Sequence, residues 1–72
     1  MKGIRTKNFD LQISRSVLEN TLRLAVTTNS GIYTGLVSAD SLGITTEDDK
    51  IIIDATEVNG NTSEEKHIEL HF

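Results

Sequence analysis

Two β-type segments joined by a short turn, the second with a glycine at its centre, restrict this chain more than any other feature. Leu22–Thr28 alternates strictly, with Leu22, Leu24 and Val26 on one face and Arg23 and Thr27 on the other. That period of two marks a half-buried strand. Asn29-Ser30-Gly31 supplies residues that tolerate positive φ, and Ile32–Ala39 returns as the partner strand. Gly35 lies inside the returning strand, where a glycine weakens pairing unless a bulge, a sharp bend or a close backbone approach requires it. The pattern predicts a strongly curved antiparallel hairpin, the unit from which small barrels are built.

The flanking segments extend this reading. Phe9–Ile13 alternates and is a short candidate strand. Ser16 followed by Glu19 matches a capping box, which predicts one or two helical turns over Arg15–Thr21. Asp40–Gly43 reads as a turn, Ile44–Thr46 as extended chain and Glu47–Asp49 as an acidic turn. Lys50–Ala55 is β-branched and apolar on both faces at its centre, as a buried strand requires. After the turn at Asn59–Asn61, Lys66–Phe72 places Ile68, Leu70 and Phe72 on one face. The expectation is a mainly β fold over residues 1–72: a single small, five-stranded, strongly bent barrel of the Sm-like or SH3-like kind, with a short N-terminal helix.

Size then bears on assembly. A chain of 72 residues buries only about 60% of the surface its unfolded form exposes. The sequence has no cysteine, which excludes disulfides and thiolate metal sites as reinforcement. Self-association is the remaining way to bury more surface, so a homo-oligomer is expected. The last strand sharpens this, because an unpaired edge carrying Ile68, Leu70 and Phe72 invites pairing with a neighbouring subunit. Repeated with a suitable rotation, such a contact closes a ring. The first seven residues contain no continuous apolar stretch and no run approaches a membrane span, which points to a soluble, cytoplasmic protein without a membrane partner.

The formal charge of −4 is unevenly distributed. Residues 1–23 hold Lys2, Arg5, Lys7, Arg15 and Arg23 against Asp10 and Glu19, whereas residues 24–72 hold Lys50 and Lys66 against nine carboxylates. A basic segment on an acidic body marks a candidate surface for a polyanion.

At these residues the chain resembles the Sm/LSm family, which includes the bacterial Hfq-type proteins. Val17–Asn20 stands where the family has its helix, Leu22–Thr28 where it has the first strand, and Gly31-Ile-Tyr-Thr-Gly35 where it has a glycine pair. Asp40 stands for the family's aspartate, and Ile51–Val58 for the strand that closes the first Sm motif. The resemblance covers about residues 16–58. Gly31 to Gly35 and Gly35 to Asp40 are each one residue closer than the family pattern. The base-contacting asparagine after the aspartate has no counterpart in Ser41–Ile44, and the arginine-glycine pair of the second motif is replaced by Asn59-Gly60. The resemblance implies a ring of five to eight subunits that binds single-stranded RNA or DNA. Arg5, Lys7, Arg15 and Arg23 would track phosphates, Tyr33 would stack on a base, and Asp40 would sit at the family's binding position. The alternative is a homo-oligomeric structural or adaptor module, including one of viral origin, with no nucleic-acid activity.

Other chemistry has little basis. His67-x-Glu69-x-His71 shares one strand face and has metal-ligand character, but it equally forms the polar face of an amphipathic strand, and no metal is assigned to it. Glu47-Asp48-Asp49 lacks the regularly spaced oxygen ligands of a calcium loop. No nucleophile elbow, phosphate loop or dinucleotide fingerprint is present, so neither an enzyme nor a cofactor is expected.

Overall fold

The computed structural model describes residues 2–72. Those residues form seven strands: β1 (Lys2–Arg5), β2 (Phe9–Arg15), β3 (Thr21–Thr28), β4 (Gly31–Ser38), β5 (Gly43–Thr46), β6 (Lys50–Asn59) and β7 (Thr62–His71). All pairings are antiparallel, in the order β1-β2-β3-β4-β6-β5, with β7 also paired to β6. The result is a single sheet curled into a half-barrel. No ladder among the described residues joins β1 to β5 or β7, so the curl stays open.

Alternation decides which face is the core. Phe9 and Leu11 of β2, Leu24 and Val26 of β3, Val37 of β4, Ile51, Ile53 and Ala55 of β6, and Leu70 of β7 are buried together on the concave side. The register stacks them across neighbouring strands, with Leu11 opposite Val26 and Ile51 opposite Leu70. No polar or charged residue is buried among the described residues, so the core carries no desolvated polar group to satisfy.

Three expectations need correction. Arg15–Thr21 contains no helix: β2 ends at Arg15, β3 begins at Thr21, and the connection is a tight turn. Ser16 Oγ accepts a bond from the Leu18 amide at 3.2 Å, Thr21 donates through both its amide and its hydroxyl to the Leu18 carbonyl, and Asn20 adopts φ of 60°. A segment this short cannot repay helix nucleation, while β2 and β3 pair along seven residues on either side of it. Second, the described strands number seven rather than five. β1 adds a hairpin to β2, closed by Thr6, whose Oγ1 accepts from the amides of Asn8 and Phe9. Gly43–Thr46 pairs with β6 as β5. Third, the terminal strand begins at Thr62 rather than Lys66; it has β6 on one side and a free edge on the other, and Phe72 stays 49% exposed. β7 pairs with β6 over its whole length, Leu70 is buried, and Phe72 stacks at 5.9 Å on Phe9 of β2.

The sharpest feature of the sheet is the change of partner along β6. Val37 pairs with Glu57, after which the chain leaves the sheet and resumes at Gly43 opposite Asp54. The Thr56 amide falls in that gap, and the Ser41 hydroxyl accepts it at 2.9 Å while donating to the Ser38 carbonyl. One serine therefore replaces the missing rung, as a half-buried backbone donor demands.

Candidate interaction surface

Register places the residues assigned to a polyanion surface. Arg5 lies at the C-terminal end of β1 opposite Asp10, and Lys7 follows in the β1–β2 turn. Arg23 lies on β3 opposite Ser14, and Arg15 ends β2. All four are exposed. Asp10 and Ser14 are four positions apart on β2, so Arg5 and Arg23 are separated by at least about 13 Å along the strand direction. That exceeds the screening length of about 8–10 Å in physiological salt. Arg5 and Lys7 thus lie towards one end of the half-barrel and Arg15 and Arg23 towards the other, with Arg15 (opposite Leu22) and Arg23 (opposite Ser14) on opposite faces of the sheet. Asp40 lies at the second end, in the β4–β5 turn, where its carboxylate accepts from the Asn20 amide nitrogen at 2.8 Å. With the Ala39 amide bonded to the Asn20 carbonyl, this ties the β2–β3 turn to the β4–β5 turn.

Tyr33 is on the concave face. It packs half-buried against the core, and its hydroxyl donates to the Glu57 carboxylate at 2.5 Å. Burial, the bond to Glu57 and the negative charges of Glu57 and Glu64 push its pKa up to about 12, so the hydroxyl remains a donor at neutral pH. The reason for Gly35 lies here. A Cβ at Gly35 would stand 2.5 Å from the Tyr33 hydroxyl and 2.8 Å from Glu57 Oε2. The glycine inside β4 makes room for this hydrogen bond. Tyr33 also borders an open groove of about 430 Å³ between the β3–β4 hairpin and β7, with Lys66 among the residues lining it.

The outer face of β6 and β7 carries a charged cluster that no linear motif announces. His67 lies opposite Asp54 and donates from Nδ1 to its carboxylate at 2.6 Å and from Nε2 to Glu69 at 2.9 Å. Lys50 completes the group with an ion pair to Glu69 at 3.1 Å. The bonds to Glu69 and then Asp54 raise the His67 pKa above its ordinary 6.5, and His67 and Lys50 hold Glu69 below its ordinary 4.5. Both ring nitrogens face carboxylates, which only accept, so the two bonds exist together when the ring is protonated. His71 lies farther along the strand opposite Lys50, and among the described residues no three side chains of metal-binding type are grouped as ligands.

Among the described residues the edges of β1, β5 and β7, and the stretch of β4 before Val37, remain unpaired, and they differ in chemistry. The β7 edge carries Glu64, Glu65, Lys66 and Glu69, charges of the kind that discourage strand addition. β1 and β5 are short and border a common apolar groove of about 440 Å³ lined by Gly3, Ile4, Leu11, Ile13 and Ile44. Leu11 at its floor belongs to the core, while Ile4 and Ile44 on its walls are 40% and 44% exposed. The open seam of the half-barrel is thus an apolar slot between two unsatisfied strand edges. Sequence reading missed it because Ile4 and Ile44 lie far apart in the chain and in short segments without clear alternation. No protein-family pattern, curated protein or solved structure matches this chain.

Proposed function

We propose that this protein is a self-assembling β module, a structural or adaptor unit that works as a homo-oligomer. The observation that carries the reading is the β1–β5 seam, where an apolar slot that reaches the core lies beside two free strand edges. A domain of this size has little core to spare, and a neighbour seated at the seam supplies the burial one chain lacks. In this reading the half-barrel is a small Sm-like or SH3-like barrel whose ring of strands is completed by assembly. Native mass spectrometry of freshly purified protein tests it. A discrete species of several subunits is expected, and a monomer at all concentrations refutes the proposal.

A second reading, a ring that binds single-stranded RNA or DNA, is favoured by one observation. The ion pairs among the described residues engage Lys50, Lys66 and His67, and none engages Arg5, Lys7, Arg15 or Arg23. Repeated around a ring, each end of the half-barrel would present two free cations per subunit. Oligonucleotide binding should then weaken with salt, and each phosphate contact should add about 0.7 to the slope of log affinity against log salt. Neutralising Arg5 with Lys7, or Arg15 with Arg23, identifies the end that carries binding. Protein that purifies without nucleic acid and ignores oligonucleotides at low salt removes this reading.

A further inference from the structure

The turn between β6 and β7 holds a reactive group that the rest of the chain keeps protected. An asparagine side chain is open to attack by the amide nitrogen of the residue that follows it. The attack requires that this amide be free to shed its proton and that the backbone between the two groups rotate. The sequence has five asparagines, and the structure engages the following amide at four of them. After Asn8, the Phe9 amide donates to Thr6 Oγ1 at 3.2 Å. After Asn20, the Thr21 amide donates to the Leu18 carbonyl at 3.3 Å, while the Asn20 side chain is held by Asp40. After Asn29, the Ser30 amide donates to Thr28 Oγ1 at 3.1 Å. After Asn61, the Thr62 amide bonds back to Asn59 across the pair that closes the hairpin.

Asn59 is the exception. It is exposed, and the Gly60 amide that follows makes no hydrogen bond among the described residues. Glycine also has no Cβ to hinder rotation of the backbone beside it. The extended backbone of β6 holds the Gly60 nitrogen away from Asn59 Cγ, so attack waits for the Asn59–Thr62 pair to open. That pair is the last of the hairpin and lies outside the core, where local opening costs least. We infer that Asn59 is a site of spontaneous covalent modification, at which the chain deamidates through a cyclic imide with Gly60. The Gly60 nitrogen gives its proton to hydroxide and bonds to Asn59 Cγ. The bond from Cγ to Nδ2 breaks, and the side-chain nitrogen leaves as ammonia. Water then opens the ring. Cleavage between the Gly60 nitrogen and Cγ gives aspartate. Cleavage between that nitrogen and the main-chain carbonyl of residue 59 gives isoaspartate, whose chain runs through Cγ. Either product places a new negative charge on the strand face that Glu57 occupies, and Glu57 already lies opposite Glu64.

Storage of the folded protein at mildly alkaline pH, followed by peptide mapping with mass spectrometry, tests this. Asn59 should convert about tenfold faster than Asn8, Asn20, Asn29 or Asn61, each of which must first break the hydrogen bond of the next amide. The rate should rise with hydroxide, which takes the amide proton. Both acids should appear at residue 59, because isoaspartate forms only by way of the imide. A variant reports the part played by the closing pair. Thr62 Oγ1 donates to the Asn59 carbonyl at 2.8 Å, and Thr62→Val should speed conversion about threefold by removing that restraint. Thr62 is exposed, so the substitution leaves the core untouched. An Asn59 that stays intact, or that converts no faster than another asparagine, overturns the inference. So does aspartate without isoaspartate at residue 59, or a Thr62→Val rate no higher than that of the wild type.

Discussion

At the scale of single residues, Gly35 and His67 have roles defined by their neighbours. Gly35 is needed because the Tyr33 hydroxyl and the Glu57 carboxylate meet above its Cα. Gly35→Ala should push that pair apart and lower stability by about 1–2 kcal/mol, comparable with loss of a hydrogen bond to a charged group. The cost should shrink by about 0.5 kcal/mol or more in a Tyr33→Phe background, because the nearest clashing atom is gone; a double-mutant cycle from urea melts reads the coupling. Additive effects would mean the contact does not explain the glycine. For His67 the sign follows from its raised pKa. Its stabilisation is fully present below the ordinary value of 6.5 and is lost as pH rises through the raised folded value. Glu69, whose pKa is lowered, contributes above 4.5 and loses its contribution as pH falls through the depressed value. The cluster is strongest between those limits. Thermal melts from about pH 6 to about pH 9 should show wild-type stability falling relative to His67→Ala, with the two curves parallel once the imidazole is neutral in both states. A difference that does not change with pH would assign His67 a packing role instead.

At the scale of elements, the β6–β7 hairpin sets the dimensions of the protein. Two strands of ten residues span about 33 Å, which matches the longest dimension of 34 Å. Its turn is the two-residue link Gly60–Asn61, with φ of 64° at Gly60. An L-residue pays about 1–2 kcal/mol in that conformation. Gly60→Ala should cost about 1 kcal/mol by chemical denaturation without altering the register, whereas no loss would indicate that the turn relaxes. In the middle of the same hairpin, Ile53 is 1% exposed and central to the core. Ile53→Ala should cost about 2–5 kcal/mol, enough to consume most of the stability of so small a domain. This hairpin and β3–β4 were legible from alternation and turn residues. The β2–β3 connection was not, because a local capping signal at Ser16 and Glu19 competed with strand pairing that no local pattern reveals. β1 escaped notice for a similar reason: only Ile4 of its four residues is a large apolar side chain.

At the scale of the whole molecule, an open curl should be unevenly stable. β3 and β6 are flanked by strands on both sides and carry most of the core, whereas β1 and β5 are short edges with one partner each. Amide exchange should therefore be fastest in β1 and β5 and slowest in β3 and β6 when the chain is dilute. Under assembling conditions, protection should rise at residues 2–5 and 43–46 more than along β7. Protection that rises chiefly along β7 would place the interface on the acidic edge instead. The acidic body and the cations towards its two ends add a second expectation at this scale, since the field near the protein differs in sign between regions. Polyanions such as heparin should shift amide signals at the ends of the half-barrel and leave the outer face of β7 unmoved.

The alternating runs at Leu22–Thr28 and Lys66–Phe72 and the β-branched run at Lys50–Ala55, together with the turns at Asn29–Gly31 and Asn59–Asn61, were sufficient to specify a β protein with strands in these places. Period and turn chemistry are local properties, written in neighbouring residues. Only the tertiary structure decided what those strands meet. The Tyr33–Glu57 bond over Gly35, the His67 cluster with Asp54, the Ser41 rung and the Ile4–Ile44 slot all join residues distant in sequence, and each depends on register. A shift of one residue would turn the strand side chains among them to the other face. Register is set by the global packing of the curl, so these contacts lay beyond the reach of the sequence alone.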